Sequence, residues 1–512
     1  MGITQVPVFS YNNKRSKVVT NRATAVVKLS PCFFVWIVNT NFFMFLRRYY
    51  MNSNSRFLEE APLGKLLLKF AVPCTLSLLV SSLYNIVDQI FIGRGVGYLG
   101  NGATNVVFPI TVIALAIALM IGDGSAAYLS LCQGQGNKKA SNRTVGNAVL
   151  LMVVVGIVLM AVLMLIRGPV LNLFGATENN IAYARDYFDV IVLGIPFFVF
   201  CNAMASIIRA DGSPAFAMIS VLVGCIMNII LDPIAIFVLH WGVTGAAIAT
   251  IMGQIVSAVL CLVYLFRART FRLSAKELVP SWSVIGKFLP LGISSFLTQL
   301  SIVVIMAVMN QTLVYYGARS KFGPDIPMTV QGIVMKLFQI AISFVVGVAA
   351  GAQPIFGYNY GAGRFDRVKQ LCSLMIKAEL VIGLIATVLF EVFPLQLISI
   401  FGAEDGLYNE YAVLCSRIYM SSILLCCLQK AFSIFLQAIG RPVMAMSLSL
   451  LRDFALSVIF TLLLPHFIQP GVIAPLFSAP VADTVSFIVG VVFLYKAFAD
   501  MNEDQTEEEA AV

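Results

Sequence analysis

The chain reads as an all-α integral membrane protein: twelve transmembrane helices in two six-helix lobes, related by a pseudo-two-fold axis along the membrane normal. Three observations predict this fold class. With 59% of its 512 residues hydrophobic, 12% charged and a mean hydropathy of +0.90, the chain lies outside the soluble range, so lipid must serve as its solvent. From Lys65 onward, runs of about 20 to 28 mainly apolar residues recur twelve times, each long enough to cross a bilayer as a helix. The two halves also match each other at an offset of about 227 residues.

Taken in order, residues 1–30 are polar and basic, and Pro31–Leu46 is an apolar run interrupted by Asn39, Thr40 and Asn41. It is short for a span, and Arg47, Arg48 and two tyrosines follow it where a signal peptide would carry a small-residue cleavage site. Residues 1–58 are therefore read as an extra amino-terminal segment. Either Met51 opens the natural protein or the segment is a genuine hydrophobic anchor. The first lobe, residues 59–270, holds apolar spans near 66–92, 104–131, 143–166, 186–208, 215–239 and 243–266. The second, residues 271–499, holds spans near 283–311, 328–356, 367–393, 410–437, 442–464 and 472–497. The acidic, apolar-poor stretch 500–512 is expected to be a solvated, disordered cytoplasmic tail.

The repeat is visible in several places. Phe174-Gly175-Ala176 returns as Phe401-Gly402-Ala403, Gly134-Gln135-Gly136 as Gly361-Ala362-Gly363, Gly124 as Gly351, and GSPAFAM at 212–218 as GRPVMAM at 440–446. Six spans per half is an even number, so both halves enter the bilayer in the same sense, an arrangement that suits a transporter with a central cavity between two rocking bundles. A duplicated scaffold without transport explains the buried acids poorly. One set of loops holds twelve Lys and Arg between Lys138 and Arg441; the opposite set holds Arg94, Arg167, Arg185, Arg319 and Lys321. The positive-inside rule then places both termini in the cytoplasm. The net charge of +9 is spread thinly between apolar runs, which fits membrane topology and not a nucleic-acid-binding face. The ten cysteines lie mostly inside apolar spans without a CxxC pair, so they read as small apolar side chains and offer neither a disulfide framework nor a metal site.

The most informative residue is Asp232, inside the fifth span. A carboxylate there costs on the order of 3 kcal/mol or more, which marks it as a functional-site candidate. Asn228 lies at i−4 on the same face, and Pro233, lacking an N–H, leaves the carbonyl of Ile229 without its helical donor. In the first span Asp88 lies five residues before Gly93, while Asp232 lies eight before His240 and Thr250 eight after Gly242. At about 1.5 Å per residue, all three fall roughly 7 to 12 Å below the outer helix ends. Such a set suits a proton or a sodium ion, and two close carboxylates in low dielectric should hold one charge between them. The plainer alternatives are a structural ion pair at Asp232 and a hydrated, inert Asp88. Pro73 in the first span and Pro233 beside the acid allow both acid-bearing helices to bend. Most other intramembrane charges sit near span ends or beside opposite charge, where snorkelling or pairing is expected. Lys336 and Lys430, with Gln299, are candidates for a carboxyl-half substrate cavity. Gly347-x-x-x-Gly351 reads as a close helix contact.

Several motifs carry no weight. Gly95-Val-Gly97-Tyr-Leu-Gly100 fits a dinucleotide-binding pattern but sits in an external loop with no strand before it. No phosphate-binding G-x-x-x-x-G-K-[ST] occurs, which argues against an ATP-driven motor in this chain. His240 and His466 are the only histidines, leaving metal hydrolysis and proton relays little to work with. An intramembrane aspartyl enzyme is the remaining, distant catalytic reading, so the protein is expected not to be an enzyme.

From about Glu59 to Ala497 the chain resembles the multidrug and toxic-compound extrusion (MATE) transporters, in particular a MepA-like bacterial branch. The resemblance rests on LYNIVDQIFIG in the first span, FPITVIALAIALMIGDGSAAYLSLCQGQGN, the RADGSP loop, NIILDP in the fifth span, GVTGAAIAT opening the sixth, and the duplicated GRPVMAM. It implies secondary active efflux of amphiphilic or cationic organic compounds in antiport with H+ or Na+, by a multi-pass protein of the bacterial cytoplasmic membrane, with no cofactor beyond the coupling ion and a monomer as the expected unit. Matched residue by residue, the amino-lobe cation site falls on Asp88, Asn228, Asp232 and Thr250, with Tyr84 and Asn202 beside it and Na+, if it is the ion, at Asp88 and Asp232. The pattern departs in the second half: span seven has no acid, span eight offers Lys336, and span ten Arg417 and Lys430. No carboxyl-lobe acid pair is therefore expected, and the basic pair would disfavour cationic substrates or favour zwitterionic ones. A flippase for a lipid-linked precursor is the alternative, and it would want a wider, more cationic cavity.

Overall fold

The computed structural model describes residues 58, 61–174, 181–274, 276–323, 325–399 and 406–511, and there each expected span is a helix. The extra amino-terminal segment lies outside the described residues apart from Leu58. The spanning helices are α1 Leu63–Gly95, α2 Gly102–Gly134, α3 Lys138–Leu165, α4 Ile181–Ala210, α5 Pro214–Val238 and α6 Gly242–Leu265 in the first lobe. In the second they are α7 Trp282–Gly317, α8 Ile326–Gly361, α9 Phe365–Val392, α10 Leu407–Ala438, α11 Pro442–His466 and α12 Ala474–Glu503. Nearly all run past their apolar stretches, because a backbone leaving hydrocarbon keeps its hydrogen bonds satisfied most simply by continuing the helix. The nine cysteines among the described residues are free thiols.

The duplication is carried into the packing. Within the first lobe α1 packs on α5, α2 on α4, α4 on α6 and α3 on α4; the equivalent pairs α7–α11, α8–α10, α10–α12 and α9–α10 recur in the second. Between lobes, α2 packs on α7, α8 on α1, and α2 on α8. A two-fold operation exchanges the first two of these contacts and maps the third onto itself, as the expected axis requires. A short helix also follows the third span of each lobe, Arg167–Leu173 and Pro394–Ser399.

The lobes touch most closely toward the end of the bundle where α1 begins, and the repeated glycines make the contact. A Cβ on Gly134 would lie 2.1 Å from the carbonyl oxygen of Tyr358, and one on Gly361 would lie 2.2 Å from that of Leu131. Gly351, in the Gly347-x-x-x-Gly351 motif, meets the backbone of Ala71 in the same way. Only a residue without a side chain allows backbones to approach so far. A polar link reinforces the seam: Asp123 on α2 accepts from Ser206 of its own lobe at 2.6 Å and from Ser295 on α7 at 2.9 Å. Gln437 on α10 donates to the carbonyl of Leu291 on α7 at 2.6 Å and lies 3.3 Å from the Ser295 hydroxyl.

Three helices depart from regularity. Pro233 ends the α-helical part of α5, and a π-helical turn, Ile234–Val238, follows. Leu451–Leu456 in α11 is also π-helical, and α10 is interrupted at Ser421 and Ser422 between Met420 and Ile423. The last helix continues to Ala511, which corrects the expectation of a disordered tail. Glu, Gln and Ala are good helix formers, and extending an existing helix avoids the cost of nucleation.

Candidate functional site

The amino-lobe site is built on the α5–α6 interface. Along α5 the buried polar and small residues Ser220, Gly224, Asn228 and Asp232 recur at every fourth position, so they form one stripe. The stripe meets a complementary one on α6. The Ser257 hydroxyl donates to the carbonyl of Ser220 at 2.8 Å, and at the next level a Cβ on Gly253 would lie 2.5 Å from the carbonyl oxygen of Gly224. That close crossing brings Thr250 to Asn228, whose amide donates to the Thr250 hydroxyl at 3.2 Å and to Asp232 Oδ1 at 3.1 Å. Asp232 is fully buried and Asn228 nearly so.

Asp88 enters from α1, which packs on α5, and its carboxyl group comes within hydrogen-bonding reach of Asp232. The π turn after Pro233 holds this arrangement from the end of the bundle where α1 finishes. Its register slip is seen in Leu239, which donates to Ile234 five residues back, and it presses Ile236 and Phe237 against the end of α1, with Phe237 edge-on to Phe91 at 6.3 Å. Tyr84 lies near enough to both acids to feel their charge, as does Tyr187 on α4, which is 8% exposed. Tyr187 escaped sequence reasoning because a tyrosine near the start of a span is the ordinary signature of a membrane interface. Asn202 is not drawn into the cluster: its amide donates to the carbonyl of Phe198 in its own helix at 2.8 Å.

The donor chemistry of the cluster is oxygen throughout, and it is incomplete. Asp88 Oδ1, Asn228 Oδ1 and Asp232 Oδ2 are buried without a hydrogen-bond partner. Buried acceptors in this state are costly unless something supplies a proton or positive charge. Two carboxylates, an amide oxygen and a hydroxyl are hard ligands suited to a proton or a small monovalent cation. Among the described residues no group of three or more His, Cys, Asp and Glu is arranged for a metal ion.

The carboxyl lobe differs from expectation. It contains a buried acid pair after all, Asp453 in the π turn of α11 and Asp483 on α12, 3% and 2% exposed respectively. Lys430, expected to line a substrate cavity, is buried against Asp453 at 2.5 Å. Arg452 bridges the pair, 2.8 Å from Asp453 Oδ1 and 2.8 Å from Asp483 Oδ1. A charge in the low-dielectric interior is tolerable only when matched, so four neighbouring ionic groups assemble into one neutral set. Gln299 is half-buried on α7 and Lys336 is exposed on α8. One cleft in this lobe is lined by Met335, Phe338, Tyr419, Arg452 and Asp453 among others, and neither Gln299, Lys336 nor Lys430 borders it.

Two repeated helical lobes sealed together at one end, with a buried and incomplete oxygen cluster inside one of them, define a twelve-helix membrane transporter. Comparison with known proteins narrows the class. The MatE family profile matches residues 73–234 and 290–463, one stretch in each lobe, and the chain belongs to that family. Among its relatives, the multidrug export protein MepA of Staphylococcus haemolyticus is 24% identical over 444 residues, spanning 86% of this chain and 95% of the relative. MepA of Staphylococcus aureus is 23% identical over 452 residues, spanning 88% and 98%. An outward-facing structure of a multidrug resistance MATE family transporter of the MOP superfamily superposes with a TM-score of 0.82 at 22% identity, covering 88% of this chain and 99% of that one. A MOP superfamily transporter from Pyrococcus furiosus gives a TM-score of 0.82 at 21% identity, with the same coverages. At these identities the structural likeness speaks for the fold alone.

Proposed function

We propose that the protein is a secondary active efflux transporter of the bacterial cytoplasmic membrane, exporting amphiphilic or cationic organic compounds in antiport with H+ or Na+. The observation that carries this reading is the set of three unpartnered buried oxygens on Asp88, Asn228 and Asp232. Entry of the coupling cation neutralises the acids and completes the oxygen cluster. Because Asp88 and Asp232 stand on helices joined through the π turn after Pro233, filling the cluster alters how α1 and α5 pack. Of these, α1 also packs on α8 of the other lobe, so cation binding and drug release are linked through it. The end of the bundle where α1 begins is taken as cytoplasmic, on the loop charges, and the sealed seam there supports an outward-open resting arrangement. Coupling residues are Asp88, Asn228, Asp232 and Thr250, with Tyr84 and Tyr187 flanking; no cofactor is required, and a single chain is the working unit.

The flippase alternative wants surplus positive charge for a phosphate-bearing head group. The balance of Lys430 and Arg452 against Asp453 and Asp483 argues against it. The deciding experiment is dye efflux from everted vesicles under an imposed pH or sodium gradient. Asp232→Asn, an isosteric change, should abolish cation-driven efflux while the protein remains folded and monodisperse; full transport by that variant overturns the assignment.

A further inference from the structure

Each lobe carries a buried acid pair, and the two pairs are in opposite states. In the amino lobe three oxygens of the cluster are unpartnered. In the carboxyl lobe every oxygen of Asp453 and Asp483 is taken. Asp453 Oδ1 accepts from Arg452 at 2.8 Å, and Oδ2 accepts from Lys430 at 2.5 Å and Thr298 at 3.1 Å. Asp483 Oδ1 accepts from the Arg452 Nε at 2.8 Å, and Oδ2 from the Ser422 hydroxyl at 2.6 Å. The helix irregularities assist. The break at Ser421 and Ser422 lies beside Asp483, and the π turn of α11 carries both Arg452 and Asp453.

The donor chemistry of the two sites is otherwise alike. Asp232 shares Asn228 with the hydroxyl of Thr250; Asp453 shares an oxygen with the hydroxyl of Thr298. What distinguishes the second site is positive charge delivered by the chain itself, the Arg452 guanidinium and the Lys430 ammonium. Without Lys430, Asp453 and Asp483 would face one positive charge, that of Arg452, leaving a net negative charge beside an Asp453 oxygen that keeps only the Thr298 hydroxyl as donor. That is the composition of a cation site. The other titratable groups around it are Cys426, which lies 3.1 Å from Arg452, and Tyr419 on α10; Glu379 on α9 lies beside Cys427.

We infer that Lys430 is a tethered resident cation, which occupies the carboxyl-lobe acid site permanently and restricts exchange of the coupling cation to the amino lobe, one per cycle. The inference rests on the proposed coupling role of the amino-lobe cluster. It makes the duplicated transporter functionally one-sided: the amino lobe senses the cation gradient, while the carboxyl lobe holds its own acid pair in the filled state.

The test counts cations bound to the purified full-length chain. Sodium-22 binding is the first measurement. If sodium does not bind, infrared titration of buried protonated carboxyl groups replaces it, with Glu379→Gln in every background because Glu379 is itself a fully buried carboxyl with both oxygens unpartnered. The wild type should hold one exchangeable cation, Asp232→Asn none, Lys430→Met two, and the Lys430→Met/Asp232→Asn double variant one. A folded double variant that binds none overturns the inference, as does a folded Lys430→Met that gains none. If neither Lys430 variant folds, the other two proteins decide. A count of two in the wild type falling to one in Asp232→Asn means that the carboxyl lobe exchanges a cation and the inference is wrong; one falling to none upholds it. An unchanged count in Asp232→Asn is a separate failure, that of the amino-lobe assignment, and the gain in Lys430→Met then still decides the matter.

Discussion

At the scale of single residues, the question is which polar groups in an apolar interior have partners. Asn228 has two, Asp232 and Thr250, and leaves its own oxygen open to the cluster. Asn202 donates instead to the Phe198 carbonyl of its own helix. Replacing Asn228 with Ala removes both donated bonds and one ligand oxygen. A bond of this kind is worth about 1 to 1.5 kcal/mol. The cation concentration for half-maximal efflux should therefore rise about tenfold. Asn202→Ala should remain within about twofold of the parent, as expected for a position outside the cluster. Efflux measured across a sodium or pH series separates the two, and the reverse ranking would move the site to α4.

At the scale of the helix, proline and the π turn decide how the acids meet. Pro233 cannot donate to the carbonyl of Ile229, so the ladder slips by one residue and Leu239 bonds Ile234 instead. The wide turn carries Ile236 into contact with the end of α1 at Gly95. Pro233→Ala returns the missing donor and removes the cause of the slip. We expect greater hydrogen-exchange protection over residues 234–241 and weaker cation dependence of efflux, by about threefold to tenfold if the loosened α1–α5 contact is worth roughly one hydrogen bond. Unchanged protection would show that the neighbours, not the proline, impose the π turn. Pro73 differs from Pro233 in that α1 continues as helix around it, with the Ser77 hydroxyl donating to its carbonyl at 2.8 Å.

At the scale of the whole molecule, alternating access requires the seam between the lobes to open. Its backbone contacts, Gly134 on Tyr358 and Gly361 on Leu131, are close apolar approaches. The Asp123–Ser295 bond is different, because it joins α2 to α7 across the lobes with a charged acceptor. Removing the hydroxyl with Ser295→Ala leaves Asp123 its bond from Ser206 and its ion pair with Arg209, both in its own lobe, but takes away its bond to α7. A charge-assisted hydrogen bond contributes about 1.5 to 3 kcal/mol, so the sealed state should lose at least about tenfold in population relative to the opened one. Spin labels on the outer ends of α1 and α7 should report shorter distances in Ser295→Ala than in the parent. An identical distribution would mean that packing alone holds the seam.

The sequence by itself determined the class, the helix count and the pairing of the halves. Hydropathy is a local property, and a span of apolar residues has no alternative to a helix in lipid. It also placed Asp88, Asp232 and Thr250 at one depth, with Asn228 one turn away, since rise per residue converts position into height. What it did not reveal were relations between helices of unrelated sequence position. Arg452, Asp453 and Asp483 read as ordinary paired charges, and Lys430 as a cavity residue, until the tertiary structure brought α10, α11 and α12 together. Tyr187 joined the amino-lobe cluster for the same reason. Depth follows from counting residues, but which face of a helix meets which neighbour is set by the packing of all twelve. That packing alone decided which acid pair was left open and which was already filled.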